Sequence, residues 1–302
     1  MGHYTVSHWG IYEVDKDAAG QPRLRPYSRD TDPSPIGLHQ LDASLMRLRV
    51  RRPAVRRSWL RHGPGAAPEQ RGRDPFVEVP WDEALDLVAA EIARVRDRHG
   101  NTSIFGGSYG WSSAGRFHHA QSQVHRFLNA CGGYVRHMDS YSLGAARVLL
   151  PHIVAPMEEL QASHTSWDVL ARHTQLFVTF GGVPAKNAQI SAGGAGVHRV
   201  REGLRQMHAA GIRFVNVGPV GDNLDTSGPI EWLPVPPGTD AALMLALAWV
   251  LRDEGLHDTA FLASHCAGYE MFERHLLGLD DGTPKTPAWA EPIVETMQDR
   301  GR

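Results

Sequence analysis

Cysteine is nearly absent from this 302-residue chain, which has only Cys131 and Cys266. Two thiols cannot build a disulfide framework or a cysteine-rich metal cage, and their scarcity favours a reducing compartment. Long apolar runs are absent as well. The longest, around Ala241–Leu251, falls well short of the roughly 20 residues that cross a bilayer. The opening MGHYTVSHWG has no basic-then-apolar leader pattern, and no apolar stretch follows Arg56-Arg57. A cytoplasmic protein with no membrane partner is therefore expected. An excess charge of one sign is also missing. The 31 Lys and Arg against 33 Asp and Glu leave −2, so no global basic field points to nucleic acid. Nor is there a Walker lysine, an H-E-x-x-H or a C-x-x-C. The 17 histidines lack zinc-site spacing; His118 and His119 are adjacent, a quarter-turn apart on a helix.

What is present is ordinary globular material, 42% apolar and 21% charged, long enough for about two domains. Residues 1–80 are broken by prolines into short alternating pieces such as Met46–Val50, and this segment is expected to be irregular and β-rich. An α/β segment follows over 81–165. It starts with the stripe Trp81, Ala84, Leu85, Val88, Ile92 and Val95, which has the spacing of an amphipathic helix. Further helices are expected over about His118–Ala130 and from Ala145 towards Pro151. Residues 166–302 alternate. Leu176–Phe180 reads as a buried strand opening into Gly181-Gly182, Val197–Ala210 as a helix, and Ile212–Val217 as a second buried strand opening into Gly218-Pro219. Gly238-Thr239-Asp240 starts a helix over Ala241–Leu251. This pattern predicts parallel, Rossmann-like α/β units, whose ligands bind at the carboxyl ends of the strands, here Gly181–Asn187 and Gly218–Asn223. A nucleotide could lie across both ends, although no G-x-G-x-x-G follows the first strand. Gly106-Gly107-Ser108-Tyr109-Gly110 fits the G-x-S-x-G elbow of α/β serine hydrolases, with Ser108 as nucleophile. Trp111, Ser112, Ser113 and Gly115 prolong the loop where that motif needs a helix. A non-catalytic nucleotide-binding remnant is a further alternative.

Six segments, in order, resemble the molybdenum oxidoreductases of the dimethyl sulfoxide reductase family, closest to its biotin sulfoxide, trimethylamine N-oxide and dimethyl sulfoxide reductases. They are Ser7-His8-Trp9-Gly10, Arg52-Pro53-Ala54-Val55-Arg56, Phe76–Leu85 (FVEVPWDEAL), Ser103–His118 (SIFGGSYGWSSAGRFH), Asp139–Ala146 (DSYSLGAA) with Pro151-His152, and Pro237–Met244 (PGTDAALM). The resemblance implies a molybdenum bis(molybdopterin guanine dinucleotide) cofactor, a small-molecule S-oxide or N-oxide substrate and an external electron donor. It implies no iron–sulfur cluster, since the N-terminal cysteines of cluster-bearing members are missing. It makes Ser142 the metal ligand, a hard oxygen suited to a high-valent metal. From the residues alone, Ser142 reads as a helix N-cap before Gly144-Ala145-Ala146. Tyr109 and Trp111 match the pair over the metal, with Trp111 also touching the cofactor. Lys186 and Asn187 match a Lys-Thr pair on the dinucleotide, and Asp240 matches the acid of T-D. Where the family reads I-D-P-x-R, this chain has Val217-Gly218-Pro219-Val220-Gly221, with Asp222 as the nearest acid. The resemblance fades after Ala290, so an incomplete molybdopterin oxidoreductase fold, an N-terminal portion with little activity of its own, is expected.

Overall fold

The computed structural model describes residues 2–108, 119–139, 142–190 and 196–295. It is a mixed α/β structure. The chain divides into two compact units, Met1–His164 with Gln189–His198, and Thr165–Ala188 with Arg199–Arg302.

The first unit opens with an antiparallel meander of β1 (His3–Ser7), β2 (Gly10–Lys16) and β3 (Pro22–Pro26). Tyr12 on β2 is buried, and its hydroxyl donates to the carbonyls of Ser34 (2.9 Å) and Trp9 (3.1 Å). Helices α1 (Pro35–Leu38) and α2 (Ala43–Leu48) follow. The alternation at Met46–Val50 is thus overturned. The Asp42 carboxylate accepts the Ser44 N–H at 3.0 Å, and this cap starts a helical turn that the period-2 pattern did not register. Strands β4 (Ala54–Arg56) and β5 (Phe76–Glu78) pair antiparallel around α3 (Arg57–His62).

The expected amphipathic helix is α4 (Trp81–His99), with Asp82 and Glu83 in its first turn and Gly100 at its end. Its apolar stripe is not buried. It lines an open groove of about 580 Å³ with Val55 and Trp59. Next come β6 (Phe105–Gly106), α5 (Ala120–Ala130), β7 (Val135–Arg136), α6 (Gly144–Ile153) and α7 (Met157–Ala162). Two side-chain contacts tie the returning segment 189–198 to the Asp30–Asp32 loop. His198 Nδ1 lies 2.7 Å from Asp30 Oδ2, with both side chains buried, and Gln189 Nε2 donates to Asp32 Oδ1 at 3.0 Å.

Asp74 anchors the β4–α3 corner. Its carboxylate accepts the Ser58 hydroxyl, the Ser58 N–H (3.2 Å) and Arg56 Nε (3.1 Å). The Ser58 hydroxyl first, with its N–H and Arg56 in support, holds the Asp74 carboxyl below its ordinary value. A lowered carboxyl stabilises the fold above its unfolded-state value, about pH 4, and that contribution disappears as pH falls through the folded-state value. The Asp74→Asn variant should therefore lose stability at neutral pH but respond less steeply to acid than the parent. Urea midpoints measured from pH 7 to pH 3 check this, and parallel curves would contradict it.

The second unit holds α8 (Trp167–His173), β8 (Leu176–Phe180), α9 (Ala185–Ala188), α10 (Val200–Ala209), β9 (Arg213–Val217) and β10 (Glu231–Leu233), then α11 (Asp240–Asp253), α12 (Thr259–His265), α13 (Tyr269–Leu276) and α14 (Pro287–Val294). The sheet order is β10-β9-β8, all parallel. Because β9 is central, four of its five residues are buried. One face packs Phe214 with Leu204, Met207, Ile212 and Leu224 under Trp167 and Leu170; the other packs Val215, Val217 and Val235 with Phe180 and Leu243. Gly203 lets α10 sit against the Trp167 indole, which a Cβ there would penetrate. Leu176–Phe180 forms the expected strand but only part of it is buried. It is an edge strand, and Leu176 is 51% and Val178 43% exposed.

Candidate functional site

In the second unit, β8, β9 and β10 run parallel, so the segments leaving them emerge at one edge of the sheet. The first two are joined. Gly181 N–H donates to Val217 O (2.8 Å) and Val183 N–H to Asn223 O (2.6 Å). Gly182 has φ +76, and its backbone packs so closely on Asn223 that no Cβ would fit. The third segment is drawn in because Gly218 N–H donates to Leu233 O at 3.1 Å.

Six expected residues therefore share one carboxyl edge. Lys186 and Asn187 stand exposed on α9. Gly218 is buried with its N–H spent on Leu233 and its carbonyl on Trp232 Nε1 (2.8 Å), so it shapes the turn and offers no free donor. Pro219 and Asp222 are exposed beside it. Asp240 opens α11 behind Thr239, whose hydroxyl holds the Pro236 carbonyl at 2.7 Å; it also serves as an acid in a helix first turn.

Asn216 was not singled out from the sequence. It is wholly buried under this loop. Its Nδ2 donates to Val220 O (3.2 Å) and its Oδ1 accepts the Thr179 hydroxyl (3.1 Å). The signal was available, an amide inside the apolar strand Arg213–Val217, where a polar side chain needs a partner.

The first unit has its own pair of strand ends. β6 and β7 are parallel, with Gly106 opposite Arg136. The segment bearing Ser108 and the one bearing Ser142 thus leave side by side. A Cβ on Gly107 would lie 2.6 Å from His137 Nδ1, so glycine is required for this close approach. The second segment turns at Asp139, which has φ +62. Arg147, one turn into α6, reaches back to Asp139 (3.0 Å) and across to Glu158 (3.3 Å). Ser142 is exposed. It is not the helix cap, because α6 starts at Gly144 with Leu143 at the cap position and no side-chain cap bond. Tyr109 and Trp111 lie outside the described residues, as does His118. Among the described residues no cluster of three or more His, Cys, Asp or Glu could hold a metal ion, and no helix is long and apolar enough to cross a membrane.

The family model for the molybdopterin oxidoreductases matches residues 49–292. The chain is 41% identical over 272 residues to a biotin sulfoxide reductase of Cereibacter sphaeroides, covering 90% of this chain and 36% of that protein. It is 36% identical over 300 residues to a dimethyl sulfoxide/trimethylamine N-oxide reductase of Rhodobacter capsulatus (98% and 36%), and 36% identical over 289 residues to a trimethylamine-N-oxide reductase of Haemophilus influenzae (96% and 35%). The chain therefore spans about a third of the length of these relatives. These likenesses favour the oxidoreductase reading over a hydrolase built on Ser108. With its match running from residue 49 to 292, the chain belongs to the molybdopterin oxidoreductase family.

Proposed function

We propose that this chain supplies the N-terminal part of a molybdenum bis(molybdopterin guanine dinucleotide) site, without an iron–sulfur cluster, in an enzyme that reduces S-oxides or N-oxides. The observation that carries the proposal is the family match over residues 49–292, joined by relatives named for such substrates that each align with nine-tenths or more of this chain. The residues present suit the cofactor. Lys186 is an exposed cation for a phosphate, Gly181 is an exposed glycine with no side chain to obstruct a pyrophosphate, and Ser142 is an exposed hard oxygen donor on the segment that follows β7. The parallel sheet of the second unit serves as a Rossmann-like dinucleotide edge, residues 1–80 as a β-rich lead-in and 81–165 as the segment with the metal-site loops.

In this reading Ser142 holds the metal, and Tyr109 and Trp111 donate hydrogen bonds that orient the substrate oxygen. Lys186 and Asn187 hold the dinucleotide phosphates. Asp240 accepts from guanine N–H groups, and Gly218, Pro219 and Asp222 shape the loop beside it. The bound cofactor supplies two-electron chemistry. In the net reaction a sulfoxide becomes a sulfide, or an amine N-oxide an amine, and the oxygen leaves as water with two electrons and two protons from an external donor. The free thiols Cys131 and Cys266 suit a reducing cytoplasm. Protein carrying this sequence, purified from molybdate-supplied cells, should contain molybdenum, release a guanine nucleotide on acid hydrolysis and, as holoenzyme, oxidise a reduced dye when given an S-oxide or N-oxide. Molybdenum-loaded holoenzyme inert towards both oxides, or protein devoid of molybdenum and guanine, would overturn the assignment.

A further inference from the structure

We infer that Trp232 is the base-stacking residue of the nucleotide site, an inference that rests on the carboxyl-edge reading above. Trp232 lies one residue from the carboxyl end of β10, the strand at the opposite border of the sheet from β8. It is a large aromatic left 45% exposed, yet its indole is not free to turn. Nε1–H donates to Gly218 O at 2.8 Å, and a Cβ on Gly221 would stand 3.0 Å from the ring. An indole pinned through its N–H, with much of its area open, is a preorganised stacking surface.

The spacing matches a nucleotide. Neighbouring strands are about 4.8 Å apart, which puts the ends of β8 and β10 roughly 10 Å from one another. That is the order of the reach from a pyrophosphate to its base, with Lys186 following β8 and Trp232 closing β10. Asp222 directly follows Gly221 and stands exposed at the rim of the platform, while Asp240 accepts from the N–H edge of guanine.

The test uses the full chain with GDP and inorganic pyrophosphate, reading affinity by calorimetry and stacking by tryptophan fluorescence. GDP should bind more tightly than pyrophosphate and quench fluorescence. Trp232→Leu should weaken GDP by about 5- to 150-fold, the worth of one base–aromatic stack, and leave pyrophosphate unchanged. Trp232→Phe keeps a ring without the Gly218 hydrogen bond. It should hold GDP within about threefold of the parent and lose the quench. Trp232→Leu binding GDP like the parent, or Trp232→Phe failing as badly as Trp232→Leu, would overturn the inference. Pyrophosphate binding with no gain for GDP would overturn it too while leaving the carboxyl edge standing. Binding of neither would remove both.

Discussion

The Ser142→Ala holoenzyme is expected to lose S-oxide or N-oxide reduction by more than about a hundredfold, since removing partners one shell further out from a metal already costs about 10- to 100-fold. Ser142 is exposed and is not the cap of α6, so alanine removes no cap. The change in folding stability should stay within about 1 kcal/mol, as for surface positions generally. Arg147 still ties α6 to Asp139, so the segment keeps its anchor. A loss of turnover with an unchanged urea midpoint would assign the oxygen to the metal. Ser142→Cys offers a softer donor. It should retain molybdenum with an altered absorption spectrum. Full turnover in Ser142→Ala would end the ligand assignment.

Phe214→Ala should cost about 3–5 kcal/mol, a large part of the roughly 5–15 kcal/mol that holds an ordinary domain. Phe214 is buried on β9, with its ring 5.6 Å from Phe177 at 60° and 6.2 Å from His208. The backbone on either side is locked to β8 and β10, so the cavity cannot close by collapse. Leu176→Ala deletes half as many carbons one strand away, and that side chain is half in water, so it should cost less than about 1.5 kcal/mol. Chemical denaturation of both variants checks the contrast. Equal losses would mean that the core does not sit where Leu204, Met207 and Phe214 meet.

Much of this was legible in the sequence for definite reasons. β9 was readable because Phe214, Val215 and Val217 give a short β-branched and aromatic run between Gly211 and Gly218, and α11 because Ala241–Leu251 is apolar throughout. α4 was readable because its stripe, acidic first turn and terminal glycine agree. The stripe did not reveal that Trp81 and Leu85 stay exposed, because periodicity identifies an apolar face and not its cover. The same limit applies to Leu176 and Val178. The short helix at Ala43–Leu48 was hidden because one aspartate cap outweighed a five-residue alternation. At the site, the carboxyl edge followed from strand order alone. The Asn216 bracket and the clasp of Trp232 on Gly218 depend on register across three strands, which one strand's residues do not encode.

The pairing of Asp30 with His198 has a consequence for the order of synthesis. The partners are 168 residues apart, and the buried carboxylate takes two of its contacts, the His198 ring and the His198 N–H, from that distant residue. A buried carboxyl group that lacks its hydrogen-bond partners is disfavoured. At about 5–20 residues per second, the Asp30–Asp32 loop must wait on the order of ten seconds or more after its own translation. The first unit therefore cannot mature as an N-terminal domain ahead of the rest. Its last stitch is delivered by a stretch of chain translated only after β8 and α9 have been made.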